Sequence, residues 1–110
     1  MECQYRSRNG RLYFKVEGGT QKELFENIAD LQEIFESDEN CGLCKSTDIR
    51  FRVREVKGNK YFELRCLACN AQFAFGQNKD MKSLFPKRKD DDNNWLPNRG
   101  WFKWQPKEDQ

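Results

Sequence analysis

Four of the five cysteines stand at two identical spacings, Cys41-Gly-Leu-Cys44 and Cys66-Leu-Ala-Cys69, with residues 45–65 between them. Each C-x2-C makes a tight knuckle whose two sulfurs can reach one ion. Four thiolates match tetrahedral Zn²⁺, with Zn–S distances of about 2.3 Å. A closed set of protein thiolates is scaffolding, because no position is left at which water could bind and be activated. Two other uses of such pairs fit less well. Disulfides are disfavoured in the cytoplasm, where this chain is expected to reside, and a redox C-x-x-C belongs beside a βαβ pattern that is absent here. The expectation is one structural zinc ion on Cys41, Cys44, Cys66 and Cys69, with Cys3 a free thiol. There is no histidine, which excludes imidazole-based catalysis and His-ligated metals.

A second pattern lies between the pairs. Ile49–Glu55 reads IRFRVRE, placing Ile49, Phe51 and Val53 on one face of a strand and Arg50, Arg52 and Arg54 on the other. Arg65 and Tyr61 join that face from a following strand. Guanidinium groups form planar forks that fit phosphate oxygens and stack on bases. Aligned arginines repel one another until an anion arrives, which gives the alternation a physical reason. The competing reading is a solvated face neutralised by Glu63, by the acidic helix or by Asp90-Asp91-Asp92. Lys87, Arg88 and Lys89 make a further basic run, either phosphate-contacting or solubilising. Downstream, NRGWFKWQ interleaves Arg99 and Lys103 with Trp101, Phe102 and Trp104. Single-strand binders combine such cationic tracks with aromatic platforms, so Trp101 or Trp104 is a candidate stacking residue beside Tyr61. The alternative is that these rings pin the C-terminal segment.

The elements that must position these groups are legible in outline. Residues 10–17, GRLYFKVE, alternate as a strand with Leu12, Phe14 and Val16 inward. Thr20-Gln-Lys-Glu23 is a capping box opening a helix to about Phe35 or Glu36. Leu24, Ile28, Leu31 and Phe35 form its apolar seam, and Glu26, Asp30, Glu33 and Glu36 its acidic side. Residues 48–56 and 60–66 form a hairpin turning at Gly58-Asn59. That register pairs Val53 with Leu64, Arg54 with Glu63 and, unfavourably, Arg52 with Arg65. Residues 72–75 add a short strand. The segment from 77 to 110 is expected to be irregular, basic and aromatic, and to lie across the domain, held by Trp95, Trp101 or Trp104.

Around residues 40–76 the chain resembles a zinc ribbon, the two-knuckle module of transcription elongation factors, polymerase subunits and topoisomerase tails. Where such ribbons often have Gly after a knuckle, this chain has Lys45 and Asn70. More broadly, CGLCKSTDIRF, FELRCLACNAQFAFGQ, LFPKRKD and WLPNRGW resemble small phage-encoded zinc-ribbon proteins that travel with replication or recombination genes. That resemblance implies DNA rather than RNA, a replication or recombination protein as partner, and the host cytoplasm as location.

Together these readings give a small single α+β domain over residues 1–110, with antiparallel hairpins, one amphipathic helix and a four-cysteine zinc ribbon. Residues 10–36 supply strand and helix, 40–76 the ribbon and 77–110 the C-terminal segment. Net charge is only +2, but residues 21–40 carry −6 and the remainder +8, a footprint suited to nucleic acid. No apolar run approaches the roughly 20 residues of a membrane span, and the polar N-terminus does not read as a signal peptide. Asp90-Asp91-Asp92 lacks a convergent partner or general base, so no enzyme is expected. The functional expectation is single-stranded DNA binding with little sequence preference. The alternative is an adaptor docking on a replication, recombination or transcription protein.

Overall fold

The computed structural model describes residues 1–80 and 82–103, so Trp104 lies outside the described residues. The chain divides into two compact units, the first Met1–Glu39 and the second beginning at Asn40. The fold class is α+β, with seven strands in antiparallel sheets, one α-helix and a four-cysteine cluster among the described residues.

In the first unit, β1 (Glu2–Arg6) pairs antiparallel with β2 (Tyr13–Glu17), and α1 (Gln21–Phe35) packs on β2. β1 was not foreseen, and β2 is shorter than the strand expected over residues 10–17. The intervening residues form the hairpin turn: the Ser7 amide donates to the Leu12 carbonyl at 2.9 Å, and Gly10 adopts φ 77°. The inward alternation holds, since Val16 is buried while Tyr13 and Lys15 are exposed. The capping box forms as expected. Thr20 Oγ1 accepts from the Glu23 amide at 3.1 Å, satisfying an amide that a helix start leaves open, while the Glu23 carboxylate reaches back one residue beyond the N-cap and accepts from the Gly19 amide at 2.8 Å. At the other end, Phe35 meets Phe14 with ring centroids 5.1 Å apart. Glu36 does not join the solvated acidic side, because its carboxylate accepts from the Tyr5 hydroxyl and the Arg8 amide. No helix among the described residues is long and apolar enough to cross a membrane.

The second unit is one sheet. β3 (Ile49–Val56), β4 (Asn59–Cys66), β5 (Ala71–Gln77) and β6 (Leu84–Pro86) lie in that order, and β7 (Phe102–Lys103) pairs with the start of β5. The β3–β4 turn is Lys57-Gly58, at φ 51° and 83°, rather than Gly58-Asn59. A two-residue turn with both φ values positive matches the right-handed twist of the strands. Moving the turn by one residue moves the register by two. Arg52 is therefore opposite Glu63, Arg54 opposite Tyr61, and the like-charge pair is Arg50–Arg65. A two-residue shift preserves which side chains share a face, so the arginines still line up.

The core occupies the other face, where Leu64, Phe73, Phe75 and Trp101 are buried. It thins toward β3, the sheet edge, where Phe51 and Val53 are exposed. The segment after residue 77 is more regular than its composition implies. It supplies β6 and β7, and an isolated bridge joins Lys89 to Trp95. Asn98, Arg99 and Gly100 take successive left-handed conformations, φ 54°, 59° and 98°. That turn delivers Trp101 onto Phe73, with centroids 5.8 Å apart and rings inclined by 28°.

Candidate metal centre and basic face

The two knuckles repeat one backbone geometry. The Lys45 amide donates to the Cys41 carbonyl at 3.1 Å, and the Asn70 amide to the Cys66 carbonyl at 2.9 Å. Both closing residues are left-handed, Lys45 at φ 68° and Asn70 at φ 65°. Glycine is the usual occupant of such positions. Asparagine tolerates the conformation, while lysine carries a steric cost of roughly 1–2 kcal/mol.

The β3–β4 hairpin returns the second knuckle to the first, and all four sulfurs lie within 4.8 Å of one another. Cys41 Sγ is 3.6 Å from Cys69 Sγ, and Cys44 Sγ is 3.5 Å from Cys66 Sγ. Both separations far exceed a disulfide bond of about 2.05 Å. Four sulfurs each about 2.3 Å from a tetrahedral ion stand about 3.8 Å apart, which fits the observed spacing closely. Amides of Leu43 and Cys44 point at Cys41 Sγ, at 3.3 and 3.4 Å, and support negative charge there. The thiols are not equivalent before an ion arrives. A backbone hydrogen bond from Ser46 lowers Cys44 to about 7, whereas burial raises Cys69 to about 12.

The first knuckle is also the seat of the C-terminal segment. A Cβ at Gly42 would stand 2.5 Å from Trp101 Cδ1 and 2.6 Å from the Asn98 carbonyl oxygen. Gly42→Ala is accordingly expected to destabilise the fold by about 1–3 kcal/mol, the usual cost of overpacking. Thermal melting of metal-loaded protein tests this, and an unshifted midpoint would mean that Trp101 does not seat on the knuckle.

The basic face lies on the same sheet. Strand register lays out two rows across it. One runs Arg54, Tyr61, Gly76, Phe85, and the other Arg50, Arg65, Gln72, Phe102. Between them, Arg52 stands opposite Glu63. Glu63 is buried, and its Oε1 is 2.9 Å from Arg54 Nε and 3.6 Å from Arg52 Nε. Arg54 also lies over the Tyr61 ring, 5.3 Å from its centroid. One carboxylate thus orients two guanidinium groups while Arg50 and Arg65 stay opposed, leaving a net +3 on the five groups.

The structure therefore brings together Arg50, Arg52, Arg54, Arg65 and Tyr61, and it separates two other expected residues from them. Arg88 lies on the core side, its guanidinium 4.5 Å from the Phe73 centroid and its Nη1 donating to the Arg99 carbonyl at 2.7 Å. Burial lowers its pKa. Trp101, expected as a stacking platform, is 1% exposed and offers no face to a ligand. Lys87 is exposed, and Lys89 Nζ sits 4.5 Å from the ring of Trp95, which is 74% exposed and bridged to Lys89 through the backbone.

Phe85 is the residue that sequence reasoning missed on this face, and Phe102, one of the rings of NRGWFKWQ, takes the exposed place expected of Trp101. Their orientation follows from pairings with Gly76 and Gln72, which no local pattern announces. Comparison with family models, curated proteins and solved structures returned no match to this chain. Fold and site together define an α+β protein with four cysteines placed to bind one metal ion.

Proposed function

We propose that this is a non-catalytic, zinc-stabilised ribbon module that binds single-stranded nucleic acid on its arginine face. The observation that carries the reading is that Arg50, Arg52, Arg54 and Arg65 share one sheet face, with Arg52 and Arg54 held by one carboxylate and Arg50 directly opposite Arg65. Excess cationic charge on a rigid sheet suits a polyanion, and exposed rings on that face suit unpaired bases. The outer side of α1, with Glu26, Asp30 and Glu33 exposed, would repel phosphates and is a poor groove reader. Zinc is the metal best matched to four thiolates at tetrahedral spacing. DNA is the strand type that the sequence resemblance favours.

Titration of zinc-loaded protein with labelled single- and double-stranded oligonucleotides at several salt concentrations tests the proposal. Single strands are expected to bind more tightly. Their affinity should fall with salt at a log–log slope near −0.7 per phosphate contacted. No binding of either form at low salt would refute the reading and direct attention to a protein partner.

A further inference from the structure

Resting on that reading, we infer that Phe85 and Phe102 are the base-stacking residues, with phosphates running along the β3–β4 arginines and bases turned toward β6 and β7. Each row across the sheet is graded in the same order: cation on β3, small or uncharged residue on β5, exposed ring beyond. In the first row a Cβ on Gly76 would collide with the Phe85 ring, so glycine there makes room for the ring to reach across β5. In the second row Phe102 stands beside Gln72. Tyr61, Phe85 and Phe102 are 45, 41 and 45% exposed, whereas Phe73, Phe75 and Trp101 on the opposite face are buried. Covering a glycine explains the position of Phe85, but not why Phe102 on a separate strand repeats the arrangement.

The rows are separated by four residues along β4, from Tyr61 to Arg65, or about 14 Å at strand rise. Two bases stacked directly on one another are about 3.4 Å apart. Bases held by Phe85 and Phe102 are therefore not stacked on one another. A duplex keeps its bases paired and inward, so the two rings would add nothing to duplex binding. They act on strand type, whereas the arginines act on charge.

The test compares the full zinc-loaded chain with Phe85→Leu and Phe102→Leu variants, using a labelled oligothymidylate of about twelve nucleotides, within ordinary single-strand site sizes. Leucine keeps an apolar side chain, and zinc content and melting confirm that each variant is folded. Each substitution is expected to weaken binding by at least about fivefold, the lower bound of one base–ring stack. The salt slope should not change, because no charge is lost. Weak duplex binding should be unaffected. Unchanged single-strand affinity in both variants, with the parent protein binding, would overturn this assignment alone. A parent protein that binds no oligonucleotide would overturn both it and the arginine-face reading. A loss shared equally by single strand and duplex would also overturn it, marking the rings as structural.

Discussion

Stripping zinc with a chelator is expected to unfold the sheet of residues 40–103. The core there is small: Leu64, Phe73, Phe75 and Trp101 are its principal buried apolar side chains. A chain with 35% charged residues has little further apolar surface to bury. Structural zinc contributes on the order of 10–16 kcal/mol in comparable small modules, as much as a typical domain's whole stability of about 5–15 kcal/mol. The readout is twofold: loss of strand circular dichroism, and a red shift in emission as Trp101 leaves its contact with Phe73. Cys66→Ser should reproduce both, since it removes a buried ligand. The pH dependence has a definite sign. A thiol must lose its proton to bind the ion, and a cysteine of the unfolded metal-free chain, with an ordinary pKa of about 8.5, is mostly protonated at neutral pH. Lower pH favours the proton, so zinc affinity falls as pH falls, by about tenfold per unit for each thiol deprotonated on binding. Metal-free protein with an unchanged spectrum would sink the zinc-stapled account.

Arg50→Glu is expected to stabilise the fold while weakening the proposed activity. Arg50 faces Arg65 directly across the β3–β4 ladder. Like charges in that position destabilise, and an opposite pair is worth roughly 0.2–1 kcal/mol. The melting point should therefore rise slightly. Nucleic-acid affinity should move the other way, by about tenfold or more at low salt, because one phosphate contact is replaced by repulsion. The slope should become shallower by about 0.7. Lower stability together with intact binding would show that the arginine pair serves the fold. Glu26→Lys with Glu33→Lys on α1 is the control, and should leave binding undiminished.

The fold class was readable because each element carries a local signal: alternation in β2 to β5, the Thr20–Glu23 box, and the paired cysteine spacings. The cysteine cluster was legible for the same reason, since a hairpin between two knuckles leaves little choice of partner. The register of β3 on β4 was not. It depended on whether Gly58 opened or closed the turn, and Lys57 accepts a left-handed backbone that its type disfavours. A tryptophan anchor for the C-terminal segment was expected, but which ring would be buried, Trp101 rather than Trp95, was equally hidden. The choice depends on the left-handed run at Asn98-Arg99-Gly100 and the Lys89–Trp95 bridge, where long-range pairing overrides composition.

The position of the sulfurs also bears on how the chain reaches its fold. The Cys44–Cys66 contact spans 22 positions and sits at the open end of the β3–β4 hairpin, remote from Lys57-Gly58. Closing a loop of that length carries a length-dependent entropy cost of about 3 kcal/mol. A hairpin zipping only from its turn would meet that cost gradually, with the like-charged Arg50–Arg65 pair to cross just before Ile49 reaches Cys66. An ion captured first by the open end closes the loop in one event and leaves the strands to zip inward from both sides. On this route metal capture precedes strand pairing, and the refolding rate is expected to rise with the concentration of the free ion, which stopped-flow refolding at several zinc concentrations checks.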